Sequence, residues 1–343
     1  MLSTWRISMA VKYRIEQFGA GNLSRRDFTP GPLQPDKVRV QIKAISLNYR
    51  DLLMIQGHYN PKMKLPVIPI SDGAGVVTEC GSQVTQFEKG DRVLTTMIPG
   101  WEKGLPEKGI HSSTLGGPAD GCLSEVCDFY PRELLNIPAN ITFEQAATLP
   151  VAGLTAWNAI QKLPHKSGKS ILLLGTGGVS LAALGIAKAH HMKVAITSSS
   201  NHKLERAQAL GADCGLNYVD EVKWGQAIRS FFPDGCDLVV EVGGSGTFNQ
   251  SVTACRLGGK IALIGVLAET GQRINLTKVL MSSIDVHGIL VGSREQFKDY
   301  LRFVEQTGVT PTIGQQFEGI DQIANALELL QSGQHFGKIV ISF

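Results

Sequence analysis

The chain has 343 residues, 43% hydrophobic and 18% charged, a composition that supports two ordinary cores and excludes general disorder. Lys plus Arg number 33 against 30 Asp plus Glu, so the net +3 gives no concentrated basic surface for nucleic acid. No apolar run approaches membrane-spanning length, and Trp5, Arg6 and Lys12 flank a short apolar stretch without a cleavage-site pattern, so a soluble, cytoplasmic protein is the expectation.

Residues 38–45 alternate as a strand, 75–79 read as a second, and 90–94 lead into a third. Pro61, Pro66, Pro69 and many glycines punctuate this region, so residues 1–143 are expected to form a compact, mainly β domain. Segment 99–121 is rich in Gly, Pro and charge and lacks periodicity; it reads as a surface loop, either bordering a cleft or an inert insertion. The six cysteines are Cys80, Cys122, Cys127, Cys214, Cys236 and Cys255. Only Cys122 and Cys127 lie close together, which reads as ordinary reduced thiols and not as a disulfide scaffold or zinc ribbon.

From residue 144 to 291 the pattern becomes βα repetition. A helical stretch covers 144–163, and 170–174 is a strand too continuously apolar to face water on one side. Gly175, Gly177 and Gly178, followed by Val179, then permit a sharp turn and a close approach of backbone to pyrophosphate at a helix N-terminus. The usual third glycine is Ser180, small enough for close helix-to-sheet packing. The next strand, 193–197, runs into Ser198, Ser199 and Ser200. An NAD site normally places a carboxylate about 20 residues beyond the first glycine; residues 190–203 contain none. Ser199 and Lys203, with Arg206 nearby, are instead suited to a 2'-phosphate, so NADP(H) is the expected cofactor.

Further strands are expected at 236–242, before Gly243, Gly244 and Gly246, and at 260–264, ending at Gly265. This alternation builds a doubly wound parallel sheet with ligand-facing glycines at the strand ends. Segment 283–291 supplies a last strand whose edge is open to another subunit. Residues 320–330 have helical spacing and 337–341 return as a short strand, so 292–343 are read as rejoining the first domain.

Segments in order along nearly the whole chain resemble the medium-chain dehydrogenase/reductase superfamily, in its zinc-free quinone oxidoreductase-like branch. They are VQIKAISLNYRDLLMIQG at 40–57, VIPISDGAGVVTECGSQV at 67–84, ATLPVAGLTAWNAI at 147–160, the glycine turn, LGADCGLNY at 210–218, GGKIALIG at 258–265 and HFGKIVISF at the terminus. The resemblance implies an α/β protein with a GroES-like, mainly β catalytic domain, a Rossmann domain and a cleft between them. The positions matching catalytic zinc ligands in zinc alcohol dehydrogenases are Asn48, Ser71 and the neighbourhood of Pro150, none a thiolate or imidazole, and 95–121 holds no cysteine, so no metal is expected. Without zinc, a carbon–carbon double bond conjugated to a carbonyl suits hydride transfer, because hydrogen-bond donors can hold the enolate.

Asn48 and Tyr49 occupy the family's cleft position. Asn48 is expected to orient the cofactor ribose or the substrate, and Tyr49 to act as oxyanion donor or proton source; the alternative is a capped turn, with Asp51 an internal partner. Thr155 matches a residue approaching the nicotinamide or its ribose, or else caps a helix. Tyr218 is expected on the adenine phosphate side, and Gly243, Gly265, Gly292 and Lys338 to complete the cofactor cleft. His58 reads as a proton relay or an exposed loop residue. Residues 290–297, with Arg294 attracting a polar substrate or forming a surface ion pair, join 99–121 as candidate pocket walls. The expected function is NADPH-dependent reduction of quinones or α,β-unsaturated carbonyls by a homodimer. A zinc-free alcohol/aldehyde oxidoreductase and a non-catalytic NADPH-binding protein are the alternatives.

Overall fold

The structure is a computed structural model that describes residues 9–19, 21–265, 267 and 271–343, so Trp5 and Arg6 lie outside the described residues. The chain divides into two compact units. One comprises residues up to Val151 with Ser293–Gly308 and Ile313–Phe343; the other comprises Ala152–Gly292 and Val309–Thr312. The division falls inside a helical run, later than residue 144, where the sequence pattern changes.

In the first unit, β1 (Ala10–Ile15) and β2 (Leu23–Phe28) form a separate antiparallel hairpin. Strand β3 (Val38–Leu47) is the spine of the larger sheet: Val38, Val40 and Ile42 alternate inward, and the last four residues are buried outright. It leads into α1 (Tyr49–Gln56), which ends at Gly57 in the left-handed region, φ 77°. Then come β4 (Asp72–Cys80), β5 (Arg92–Thr95), β6 (Val126–Phe129), β7 (Leu134–Asn136) and the short α2 (Phe143–Ala147). Segment 99–121 is more than a surface loop. Trp101, Ile110 and Leu115 are buried, Leu115 within the main core beside Ile42, Met54 and Ile70. Its lack of periodicity concealed this, because a loop that enters a core one residue at a time carries no repeat.

The second unit runs α3 (Leu154–Ile160), β8 (Ser170–Leu173), α4 (Gly178–Ala189), β9 (Lys193–Ser198), α5 (Asn201–Ala209), β10 (Cys214–Asn217), α6 (Trp224–Phe231), β11 (Cys236–Glu241), α7 (Ser245–Ala254), β12 (Cys255–Leu263), α8 (Leu276–Met281) and β13 (Asp285–Gly288). Among the described residues its six strands are parallel in the order β10-β9-β8-β11-β12-β13. Numbered from β8 this is 3-2-1-4-5-6, the doubly wound dinucleotide-binding order, whose direction reverses between β8 and β11. All four residues of β8 are buried, as the continuous apolar run requires. β13 ends the sheet and is shorter than the expected 283–291.

The chain then returns to the first unit through α9 (Arg294–Thr307), β14 (Ile313–Glu318), α10 (Ile323–Ser332) and β15 (Lys338–Ser342). β15 pairs antiparallel with β3, Ile339 opposite Leu47, and parallel with β14. The larger sheet therefore runs β14-β15-β3-β4-β5-β7, with β6 also on β3. That pairing brings Lys338 to the end of β3, next to Asn48.

Candidate functional site

In the second unit, the sheet reversal puts the ends of β8 and β11 side by side. After β8 the chain turns at Gly175, whose φ of 70° favours glycine. The Gly175 N–H donates to Thr197 Oγ1 at 3.3 Å, tying the turn to β9. Ser180 does more than fit: its buried hydroxyl donates to the Leu174 carbonyl at 2.7 Å and locks the start of α4 onto the strand. Gly177 is the N-cap of α4, and no side chain caps the helix. A Cβ added at Gly177 would meet nothing within 4 Å, so protein packing does not require glycine there. Gly178 and Val179 open the helix and are partly exposed. The geometry fits a pyrophosphate: uncapped N–H groups at the positive end of a 12-residue helix, under a turn with no side chain in the way.

The neighbouring α7 is the opposite case. Glu241, at the end of β11, is fully buried and its Oε1 accepts from Gly243 N at 2.7 Å, Gly244 N at 3.0 Å and Thr247 Oγ1 at 2.5 Å, while Ser251 Oγ donates to Oε2. An internal carboxylate thus already takes the anion position at this helix start, leaving α4 as the open one. Sequence reasoning missed Glu241, although a carboxylate closing an apolar strand just before Gly243 and Gly244 was the available signal. Gly243 and Gly265 have packing reasons of their own, since a Cβ would press on the Thr247 side chain or the Val242 carbonyl. Gly292 is buried at the end of this unit.

At the end of β9, Ser198 is buried and its Oγ accepts from Ser200 N at 3.3 Å; Ser200 in turn caps α5 by accepting from Lys203 N. Ser199 is exposed and Lys203 partly so. Burial lowers the Lys203 pKa, and the nearby Arg206 lowers it further, so two cations crowd one strand end. Tyr218 follows β10, 42% exposed, and its N–H donates to the Ser198 carbonyl at 3.1 Å. Thr155 is buried in the first turn of α3; it is not the cap, which is Gly153.

In the first unit, Asn48 stands at the N-cap position of α1 but makes no side-chain cap. Its N–H donates to Asp51 Oδ2 at 2.8 Å, confirming Asp51 as an internal partner. Asn48 Oδ1 instead accepts from Lys338 Nζ at 2.6 Å, and the same ammonium donates to the Leu47 carbonyl at 2.6 Å and lies 3.9 Å from Asp72 Oδ2. Asn48 Nδ2 is buried with no hydrogen bond of ordinary length among the described residues, and lies on the side of Asp72, whose pKa it helps to lower. Burial pushes Asp72 up to about 6 against the pull of Lys338, and burial lowers Lys338 against Asp72 and Asp51. Lys338, expected at the cofactor, makes these contacts within its own unit. Tyr49 is 42% exposed beside Asn48, and His58 is exposed.

Arg294 does more than form a surface ion pair. Its guanidinium donates to the carbonyls of Arg132 and Leu134, both at 2.7 Å, with Glu102 at 3.6 Å, and so fastens α9 to β7. Cys122 and Cys127 are buried thiols, with burial pushing Cys127 up to about 12. Among the described residues no group of three His, Cys, Asp or Glu side chains is placed to hold a metal, and no helix is long and apolar enough to cross a membrane.

A family model for the alcohol dehydrogenase GroES-like domain matches residues 34–139, and one for zinc-binding dehydrogenases matches 178–306. A zinc-type alcohol dehydrogenase-like protein of Schizosaccharomyces pombe is 38% identical over 97% of this chain and 99% of its own. A 2-methylene-furan-3-one reductase of Solanum lycopersicum is 31% identical over 90% of this chain and 72% of its own. Among solved structures, an NAD-dependent alcohol dehydrogenase superposes with a TM-score of 0.87 at 31% identity, covering 97% and 99% of the two chains. A quinone oxidoreductase of Pseudomonas syringae superposes with a TM-score of 0.81 at 26% identity, covering 98% and 100%.

Proposed function

We propose that this chain, which belongs to the medium-chain dehydrogenase/reductase superfamily and to its zinc-free quinone oxidoreductase-like branch, uses NADPH to reduce quinones or α,β-unsaturated carbonyls. It is a hydride-transfer oxidoreductase with a nucleotide-binding Rossmann unit; the choice of NADPH and the substrate class are the proposal. When bound, NADPH supplies the hydride. Gly175, Gly177, Gly178 and Val179 seat the pyrophosphate on the N-terminus of α4, and Ser198 holds the strand end that presents Ser199 and Lys203 to the 2'-phosphate. The carboxylate-free end of β9 supports NADPH, although one structural relative is described as NAD-dependent. Thr155, Tyr218, Gly243, Gly265 and Gly292 are assigned to the rest of the cofactor contact.

The observation that carries the reaction is Asn48, a buried carboxamide whose NH2 lies toward Asp72 and makes no hydrogen bond of ordinary length among the described residues, at the position that by resemblance matches a metal ligand of zinc dehydrogenases. An amide cannot replace a metal as Lewis acid, but it can donate a hydrogen bond to oxygen as negative charge develops there. A conjugated alkene needs no more than that, because charge arriving at the β-carbon delocalises onto oxygen. Tyr49, exposed beside it, is assigned as a second donor or the proton source. The tomato relative is named for reducing such an enone.

A matched screen of enones, quinones and saturated aldehydes with NADPH and NADH tests the reading. A conjugated substrate should exceed its saturated counterpart by at least ~10-fold in kcat/KM, about 1.4 kcal/mol of transition-state stabilisation. The reverse preference with reversible alcohol oxidation would favour an alcohol or aldehyde oxidoreductase, and tight NADPH binding without turnover a non-catalytic protein. Tyr49→Phe that leaves turnover and its pH dependence unchanged across several enones would remove Tyr49 from the chemistry.

We also propose a homodimer through β13. This strand ends its sheet, and Val286 together with Leu276, Leu280 and Met281 of α8 is exposed. An open edge beside exposed apolar side chains is suited to a second copy of the same strand.

A further inference from the structure

Asn48 gives up an ordinary role. An asparagine at an N-cap normally turns its side-chain oxygen onto the N–H of the helix's second or third residue, which stabilises the helix relative to alanine. Here that oxygen makes no cap hydrogen bond to α1 and instead meets Lys338 Nζ at 2.6 Å. Lysine has donors and no acceptor, so only the oxygen end of the amide can face it. The two ends of Asn48 are therefore fixed: Oδ1 toward Lys338, and Nδ2 buried on the side of Asp72, which it helps to keep ionised, with no hydrogen bond of ordinary length among the described residues. Lys338 is itself held by the Leu47 carbonyl at 2.6 Å and by Asp72 at 3.9 Å. A buried NH2 without a full hydrogen bond is unfavourable, and a ligand oxygen would remove that cost.

We propose that Lys338 is a positioning residue, which pins the Asn48 amide so that its NH2, and not its carbonyl, meets the oxygen of the bound substrate or ribose. The inference rests on the reading of Asn48 as a ligand-contacting group, and gives Lys338 a role through Asn48 in place of direct cofactor contact. It also sets the chemistry of the recognised group: an acceptor, such as an enone or quinone oxygen or a ribose hydroxyl oxygen.

A double-mutant cycle with NADPH and 3-penten-2-one tests it. Lys338→Met should lower kcat at least ~10-fold with the KM for NADPH changed less than ~2-fold, and should have an effect under ~2-fold when Asn48 is already alanine. Equal losses in both backgrounds would overturn the inference. Because Lys338→Met removes a cation facing buried Asp51 and Asp72 and can prevent folding, Asn48→Asp is the second arm. It keeps an acceptor for Lys338 and loses the donor, so kcat should fall at least ~10-fold in a folded protein; retained turnover would overturn the assignment of ends. The third arm needs no activity. The side-chain amide NMR pair of Asn48 in cofactor-free protein, identified by its loss in Asn48→Asp, should move in Lys338→Arg; an unmoved pair would show that Lys338 does not set the amide. A wild-type protein inactive on every enone and quinone would defeat the proposed reaction while leaving this NMR result to decide the Lys338 link.

Discussion

Replacing Gly177 with valine should separate cofactor binding from folding. A Cβ there meets nothing within 4 Å, and φ −81° with ψ −177° is an extended conformation open to a branched residue. Two backbone effects oppose each other. Valine is a poorer N-cap than glycine, by roughly 0.5–1 kcal/mol, and it reduces unfolded-chain entropy, which favours the folded state by about 0.4–1 kcal/mol. At about 2–4 °C per kcal/mol for a unit of this size, the cofactor-free protein should melt within about 2 °C of wild type. The ligand side differs, because the new side chain stands over the uncapped first turn of α4. Losing one charge-assisted hydrogen bond to pyrophosphate costs about 1.5–3 kcal/mol, roughly 10- to 100-fold in Kd.

Ser180→Ala should do the reverse. It removes a buried 2.7 Å bond to the Leu174 carbonyl, costing about 1 kcal/mol of stability and about 2–4 °C, while the Kd for NADPH changes less than ~2-fold. Thermal melting without cofactor and a fluorescence titration with NADPH measure both. Equal affinity losses in the two variants would mean that the pyrophosphate sits elsewhere. A Gly177→Val protein melting far below wild type would mean that glycine serves the fold.

Lys203→Ala should raise the KM for NADPH about 10-fold, the loss of one phosphate contact, and leave NADH unaffected; an unchanged NADPH value would refute the 2'-phosphate assignment. Val286→Lys sets like charges across a pair of β13 edges and should convert a dimer to the 37.0 kDa chain in light scattering, whereas an intact dimer would move the contact from this edge. Burial opposes ionisation of Asp237, yet Ser170, Lys169 and Arg256 bond it and hold its pKa below the ordinary 3.8. A lowered carboxylate pKa gives stability that is complete above that ordinary value and lost as pH falls through the lowered one. Asp237→Asn should therefore destabilise the protein at pH 7 and flatten the fall of melting temperature below about pH 4; parallel curves would show that Asp237 does not drive acid unfolding.

What the sequence reveals depends on how far apart the cooperating residues are. Strands β8, β9, β11 and β12 are legible because each carries an apolar run closed by glycine or a small polar residue, a signal contained within ten residues, whereas β10 (CGLN) and β13 (DVHG) carry no such run. The glycine turn is legible for the same reason, and the return of residues 337–341 as a strand follows from an apolar stretch that needs a partner; its antiparallel direction does not. Segment 99–121 was misjudged because Leu115 enters the core singly. The sequence does not reveal the role of Arg294, because its acceptors are the backbone carbonyls of Arg132 and Leu134, which no side-chain pattern encodes.

The candidate chemistry shows the same division more sharply. Asn48 and Asp51 are one helical turn apart, so an internal partnership could be read from spacing. Lys338 lies 290 positions from Asn48 and reaches it only because β15 pairs with β3 in a register that sets Ile339 opposite Leu47. A shift of one residue would turn Lys338 to the other face of the sheet and leave Asp51 and Asp72 buried with less compensating charge. The register that closes the larger sheet is therefore also what orients the Asn48 amide, so substitutions along β15 that loosen its pairing with β3 should lower turnover before they unfold the unit.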